Sequence, residues 1–325
     1  MSSPANPPLT LPYYTTFGGC LRSEQLLFPE LPFSDSETPH WSLHVADEPC
    51  ERRIGEMVGA GFESSCEIAL YRIPDGFRLR HSCTGDFDIT TSGSRIVWYP
   101  CDDAKLEMGR IDVLGRVLSV ALHMAGLLTL HGSAVAFEQG AVAFLAPKHH
   151  GKSTLAAALL RAGARLVSDD TVAVEPSPPV TVHSGVPSMR LCSDSAQKFI
   201  GAETPQRVGI DGKHVVDHKG ADSVMLGQTP LSAIYLLKPV LRGMSVPAAS
   251  RTKLSVSQAA ISIVSHVKIG SLLGKAEASV VFDRAVRLAH LIPVYRLEVV
   301  RDFDKIDDAV DTIVGWHDGL ASVGV

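Results

Sequence analysis

The hydrophobic and polar pattern changes character near residue 105. Up to there, short runs rich in β-branched and aromatic residues (68–73, 77–80 and 95–99) alternate with turn signals such as Pro74-Asp-Gly and Thr91-Ser-Gly-Ser. Such a texture predicts a small β-rich N-terminal subdomain over residues 1–105. From about Met108 the period lengthens: an amphipathic helix within 113–130, broken by Arg116, Ser119 and His123, leads into alternating strand and helix patterns. Residues 106–325 therefore read as an α/β layer domain.

Within that second part, Leu128-Thr-Leu-His-Gly-Ser-Ala-Val-Ala-Phe reads as one strand and Ala141-Val-Ala-Phe-Leu-Ala as a second, fully buried one. Pro147-Lys-His-His-Gly-Lys-Ser-Thr follows as a loop, and an alanine-rich helix from Leu155 stops at Gly163. Arg165-Leu-Val-Ser-Asp-Asp-Thr-Val-Ala-Val completes the unit as a further strand. Further along, 231–237 reads as a buried strand, 255–267 and 283–291 as helices, Val294-Tyr-Arg-Leu-Glu-Val as a strand and 303–317 as a terminal helix. Arg284 is expected to pack or pair within its own helix.

Composition narrows the classes. A net charge of -5 gives no pull toward nucleic acid or an anionic membrane, and the broken apolar stretches predict no transmembrane segment. The polar, proline-rich residues 1–12 do not read as a signal peptide. Cys20, Cys50, Cys66, Cys83, Cys101 and Cys192 show no CxxC or paired spacing, which predicts a reduced, cytoplasmic protein without zinc.

Strand, loop, helix, strand is the order that a phosphate-binding unit requires. At such a helix N-terminus the backbone N–H groups and the helix dipole converge on an anion. Gly151 lets the backbone approach, Lys152 reaches the β/γ oxygens of a nucleotide, and Ser153 ligates magnesium. Lys148, His149, His150 and Thr154 complete the binding stretch, the two histidines tuning phosphate access rather than holding a metal. Of Asp169 and Asp170, one would hold Mg²⁺ and the other would orient or deprotonate a substrate hydroxyl. The bland alternatives are an ordinary β–α turn with an exposed lysine, and aspartates that cap a turn. His131, alone in its strand, reads as an ordinary core or surface histidine.

Taken together, His131-Gly-Ser-Ala-Val-Ala-Phe, Ala146-Pro-Lys-His-His-Gly-Lys-Ser-Thr and Arg165-Leu-Val-Ser-Asp-Asp resemble the catalytic core of the HPr kinase/phosphorylase family. Pro187-Ser-Met-Arg-Leu, 231–237, 282–297 and the N-terminal Tyr13-Tyr-Thr-Thr-Phe-Gly-Gly-Cys are similar to shorter relatives of peptide-maturation clusters, the lasso-peptide kinases. The resemblance implies an α/β P-loop catalytic domain that uses ATP and Mg²⁺ to phosphorylate a serine hydroxyl, in the subgroup the terminal serine of a precursor peptide. It further implies Asp169 as the base with His131 beside it, Asp170 with Ser153 on the metal, and Arg190 and Lys213 near phosphate or substrate. The partner would then be a peptide or protein with an acceptor serine, and assembly into homo-oligomers is a property of that family. Ala146 replaces the first loop glycine and Thr154 an acidic residue, and the family's glycine-rich C-terminal signature is missing. HPr as acceptor and the reverse reaction are therefore not carried over. Two rival readings stay open: a small-molecule kinase on the same scaffold, and a nucleotide-dependent binding or scaffold protein.

Overall fold

The computed structural model describes residues 12–48, 54–63, 65–200, 206–209, 212–218, 220, 222–240 and 247–317. Residues 1–11 of the proline-rich N-terminal stretch, and Cys50, lie outside the described residues. Eight strands build the first sheet: β1 (Tyr13–Thr16), β2 (Gly19–Ser23), β3 (Trp41–Val45), β4 (Met57–Glu63), β5 (Cys66–Ile73), β6 (Gly76–His81), β7 (Gly85–Thr90) and β8 (Arg95–Pro100). The last five form an antiparallel meander, while β3 runs parallel to β2 and β8. Alternate residues such as Leu70, Leu79, Phe87, Ile96 and Trp98 face one core. That core is closed by α1 (Leu106–Asp112), a π-turn (Val113–Val117) and α2 (Leu118–Met124), through Val113, Val117, Leu118 and Ala121. On β6, the buried Arg78 donates from Nε (2.6 Å) and Nη2 (2.9 Å) to the carboxylate of Asp88, its cross-strand neighbour on β7. A guanidinium that is 1 % exposed needs such a bidentate partner.

Cys66 and Cys83 are joined in a disulfide, which corrects the expectation of an entirely reduced chain. The β5–β6 register, with Ile68 opposite His81, brings the two thiols face to face although their spacing in sequence signals nothing. His81 lies beside them. With the sulfurs bonded to each other, the trio offers no thiolate pair for zinc. Cys20, Cys101 and Cys192 are free.

The second sheet contains β9 (Leu128–Leu130), β10 (Gly132–Phe137), β11 (Gly140–Leu145), β12 (Arg165–Asp169), β13 (Val172–Glu175) and β14 (Thr181–His183). A three-stranded sheet of β15 (Ser188–Leu191), β16 (Gln206–Val208) and β17 (His214–Asp217) lies beside it, before the chain returns with β18 (Gln228–Val240), β19 (Ala249–Lys253) and β20 (Val294–Val300). The helices are α3 (Lys152–Arg161), α4 (Ser193–Phe199), α5 (Val256–Val264), α6 (Lys275–Leu291) and α7 (Ile306–Gly315). Both faces of β11 are covered, which is why it reads as an unbroken apolar run. Val142, Phe144 and Ala146 enter the core under α3 and α7, whereas Ala141, Ala143 and Leu145 enter the core under α5 and α6. Ser255 and Gln258 form a capping box that starts α5. No helix among the described residues is long and apolar enough to cross a membrane.

Two expected strands are each broken in two. The run 128–137 splits at His131, with β9 pairing β13 and β10 pairing β11 and β12. The run 165–174 splits at Asp170, whose φ of +68° turns the chain from β12 to β13. Arg284 is another correction. It leaves its own helix and donates to the carbonyls of His123 (2.9 Å) and Leu127 (3.2 Å) at the end of α2, where a cation complements the helix dipole.

The chain's last described turn is pinned by a polar cluster. Arg251 lies over the rings of Trp316 and Tyr295 and donates to the Tyr235 hydroxyl (2.8 Å), which in turn donates to Nε2 of His317 (2.7 Å). Burial, reinforced by Arg251, lowers His317 to about 4, and burial with Arg284 does the same to His123. Both imidazoles fold neutral but titrate near 6.5 when unfolded, so stability is lost as pH falls from 6.5 toward 4. Histidine NMR titration, assigned with His317→Gln and His123→Gln, should give midpoints near 4 for both residues; midpoints near 6.5 would contradict their burial.

Candidate active site

One edge of the second sheet gathers the site. β10 runs antiparallel to both β11 and β12, so it begins where they end: Gly132 faces Leu145 and Ser133 faces Asp169. His131 just before β10, the loop 146–151 after β11, and Asp169-Asp170 after β12 therefore meet at this edge. The loop reaches α3 through left-handed residues, His149 at φ +66° and Gly151 at φ +87°. A Cβ on Gly151 would meet nothing within 4 Å, so its freedom serves the backbone turn and leaves the α3 N-terminus open to a ligand.

Lys152, 7 % exposed, folds back under the loop. Its ammonium donates to the carbonyls of Ala146 (2.8 Å) and Pro147 (3.0 Å) and to Nε2 of His131 (3.2 Å), using all three N–H bonds. With Nε2 accepting, the proton of His131 sits on Nδ1, which faces the Asp170 carboxylate at 3.3 Å and carbonyl at 3.2 Å. Lys268 pairs with the same carboxylate. Burial opposes ionisation of Asp170, but Lys268 and His131 outweigh it and hold the carboxyl well below the usual carboxylate range. Burial lowers Lys152 to about 8, against the pull of Asp169 and Asp170 and with help from Lys213 and Lys268.

Asp169 has a different environment. Its Oδ1 accepts from the hydroxyls of Ser133 (2.5 Å) and Ser153 (2.9 Å), and its Oδ2 from the backbone N–H of Arg190 (3.1 Å). Ser153 thus touches Asp169, whereas the resemblance implied a pairing of Ser153 with Asp170. Because β12 ends at Asp169 and the chain turns, the adjacent aspartates line one cleft instead of opposite faces of a strand. Ser153 and Asp169 offer oxygen donors alone, the set that suits magnesium.

The remaining residues singled out in the sequence surround this centre. Thr154 shares a hydrogen bond with Ser195 (2.8 Å), and the exposed Lys148 accepts through its carbonyl from His150 Nδ1 (3.0 Å). His149 and His150 line a cleft on one side of the loop, together with Thr154, Leu155, Pro239 and Phe303. Arg190 lines a second cleft with Asp169 and Asp170, and Lys213 sits at the start of β17, near enough to act on Lys152. Sequence reasoning missed Ser133, Lys268 and His218, the last of which feels the charge of Asp169. Ser133 stood inside the quoted His-Gly-Ser motif and was legible. Lys268 follows α5 without any local signature; it arrives through the backbone bonds His131 N–His266 O (2.7 Å) and Lys268 N–Thr129 O (2.8 Å).

Fold and site together define a mixed α/β protein with a cationic helix N-terminus facing paired aspartates. No protein-family model matches the chain, and no curated protein does. Among solved structures it is similar to the Hpr(Ser) kinase/phosphatase from Coxiella burnetii, with 15% sequence identity and a TM-score of 0.31, over 58% of this chain and 95% of that one.

Competitive acylation of the folded protein should find the Lys152 amine titrating near 8. Asp170→Asn should lower that midpoint further, since it removes a charge that favours the ammonium. A midpoint at the ordinary 10.5 would contradict the burial of this side chain.

Proposed function

We propose that the protein is an ATP-dependent phosphotransferase that moves the γ-phosphoryl group to a serine hydroxyl, with the terminal serine of a peptide as acceptor. The observation that carries this reading is the contact of Ser153 with Asp169 at the mouth of the loop ahead of α3. A hydroxyl at the second helical position against a carboxylate at a neighbouring strand end forms an oxygen pair beside an anion-binding helix terminus. Few other uses account for both groups together with a buried lysine below the loop.

On this reading the loop amides of 148–153 and Lys152 hold the β- and γ-phosphates, Lys152 exchanging its loop carbonyls for phosphate oxygens. Ser153 and Asp169 would hold Mg²⁺, which neutralises charge on the phosphates when bound. The adenosine half lies in the cleft of His149, His150, Thr154, Leu155 and Phe303, and the acceptor in the cleft beyond the aspartates. Asp170, which faces that second cleft and is not engaged by Ser153, accepts the hydroxyl proton as the serine oxygen bonds to phosphorus and the bond to ADP breaks. Thus the two aspartates exchange the roles that the resemblance implied. Positioning supplies most of the rate, since a loose transition state asks little of a base.

The test is the intact mass of serine-ended peptides incubated with protein, ATP and Mg²⁺. One added phosphate, about 80 Da, is expected with the unaltered protein. Asp170→Asn should retain ATP binding and lose about 10²-fold or more in transfer rate, whereas Asp169→Asn should weaken the binding of Mg²⁺ with ATP. Full transfer by Asp170→Asn would remove it as the proton acceptor. ATP binding without transfer to peptides, free serine or sugars would replace the kinase reading with that of a nucleotide-regulated binding protein.

A further inference from the structure

Outside the candidate active site, one group of side chains has the chemistry of a metal site. Among the described residues, Cys66, His81 and Cys83 alone bring three ligand atoms of His, Cys, Asp or Glu within 4.8 Å of one another. Strand pairing makes the group. Cys66 and Ile68 share a face of β5, and His81 on β6 stands opposite Ile68, so the ring falls diagonally beside Cys66. Cys83 follows on the turn between β6 and β7 and is bonded to Cys66, their Cα atoms 5.9 Å apart. That turn does not depend on the disulfide for its place. The Ser82 N–H donates to the Glu67 carbonyl (2.9 Å) and the Ser82 hydroxyl accepts from the Glu67 N–H (2.9 Å), which continues the β5–β6 ladder past the end of β6.

His81 has an unfinished set of contacts. It is 4 % exposed, and its Nδ1 is buried, has no hydrogen-bond partner among the described residues and lies 3.7 Å from Oδ2 of Asp112, beyond hydrogen-bond reach. An imidazole with a carboxylate on one side and two sulfurs close by has the surroundings of a metal-ligating histidine, in which one nitrogen takes the metal and the other N–H turns to an acid that fixes the tautomer. Asp112 is itself held by the hydroxyl of Thr84 (2.5 Å), the residue after Cys83. One short turn therefore positions the imidazole, a sulfur and the carboxylate.

We propose that Cys66, Cys83 and His81 form a zinc site that the disulfide closes and reduction opens. Reduction by a dithiol passes two electrons and two protons to the sulfur pair, and the dithiol becomes its own disulfide. Zn²⁺ then displaces the two thiol protons and takes both thiolates and one ring nitrogen, with water in the fourth position. Cys83 is exposed, which gives both the dithiol and the ion a way in. Tetrahedral zinc places its sulfur and nitrogen donors about 3.5 to 3.8 Å apart, a spacing that side-chain rotation supplies once the sulfurs part. In reducing surroundings the ion replaces the disulfide as the clip between β5 and the turn. The site stands apart from the kinase reading.

The test uses the full chain, reduced with a dithiol and then freed of it under argon. Zn²⁺ affinity is read by competition with a chromophoric chelator, and Co²⁺ serves as the spectroscopic probe. The reduced chain should bind one tight Zn²⁺ that the untreated, disulfide-bonded chain does not, and should give a thiolate-to-cobalt charge-transfer band in the near ultraviolet. Cys66→Ser and Cys83→Ser should each abolish the band and the tight binding, whereas Cys101→Ser and Cys192→Ser should keep both. Asp112→Asn, which leaves all three ligands in place, should weaken Zn²⁺ binding by about tenfold or more. In the unaltered reduced chain, where folding of a variant is not at issue, zinc should shield Cys66 and Cys83 from alkylation and leave Cys101 and Cys192 reactive. Equal Zn²⁺ affinity before and after reduction, tight binding that survives Cys66→Ser, alkylation of Cys66 and Cys83 that ignores zinc, or a disulfide that the folded chain retains against a dithiol overturns the proposal.

Discussion

The site depends on β10 running antiparallel between β11 and β12. Because β10 starts where its two neighbours finish, a single sheet edge receives a histidine, a loop and a pair of carboxylates from three separate parts of the sequence. The backbone ladder fixes these positions. The hydroxyls of Ser133 and Ser153 then settle on Asp169 from two of the three parts, and the centre becomes one connected polar network. Such a network can be buried only because each oxygen of that carboxylate has donors.

Charge is arranged in the same economical way. Lys152, His131, Asp170 and Lys268 form a chain in which each member contacts the next, so a buried ammonium and a strongly acidic carboxyl share one imidazole. The desolvated lysine holds its proton loosely, and its three N–H bonds rest on two carbonyls and a ring nitrogen, partners that phosphate oxygens can replace. Lys268 is carried by a segment whose neighbours Ile269 and Leu272 pack into the core of the first sheet. The first sheet thus holds one of the site's cations in place from a distance.

Many of the elements were legible in the sequence. The apolar runs marked β11 and β18, the alanine-rich stretch marked α3, and the short β-type runs of β5, β6 and β8 followed from turn signals and period. What escaped was set by pairing, which a local pattern does not encode. The breaks at His131 and Asp170 come from strands that change partners, so each long run looked continuous in sequence. The adjacent aspartates meet different partners because of a left-handed turn at Asp170, and an aspartate's side chain gives no notice of it. Cys66 and Cys83 meet through strand register, and Arg284 finds its carbonyls across helices. Arg116 seemed merely to interrupt an apolar helix; it lies on a π-turn and lines the cleft beyond the aspartates.

The central claim is that Ser153 and Asp169 hold a metal against a nucleotide at the α3 N-terminus. It is tested most directly by equilibrium binding of ATP to the unaltered protein and to Ser153→Ala, each with Mg²⁺ and with a chelator. The account predicts tighter binding in Mg²⁺ for the unaltered protein, and loss of that gain in Ser153→Ala with the chelator value unchanged. ATP affinity that ignores both magnesium and the serine hydroxyl would contradict it.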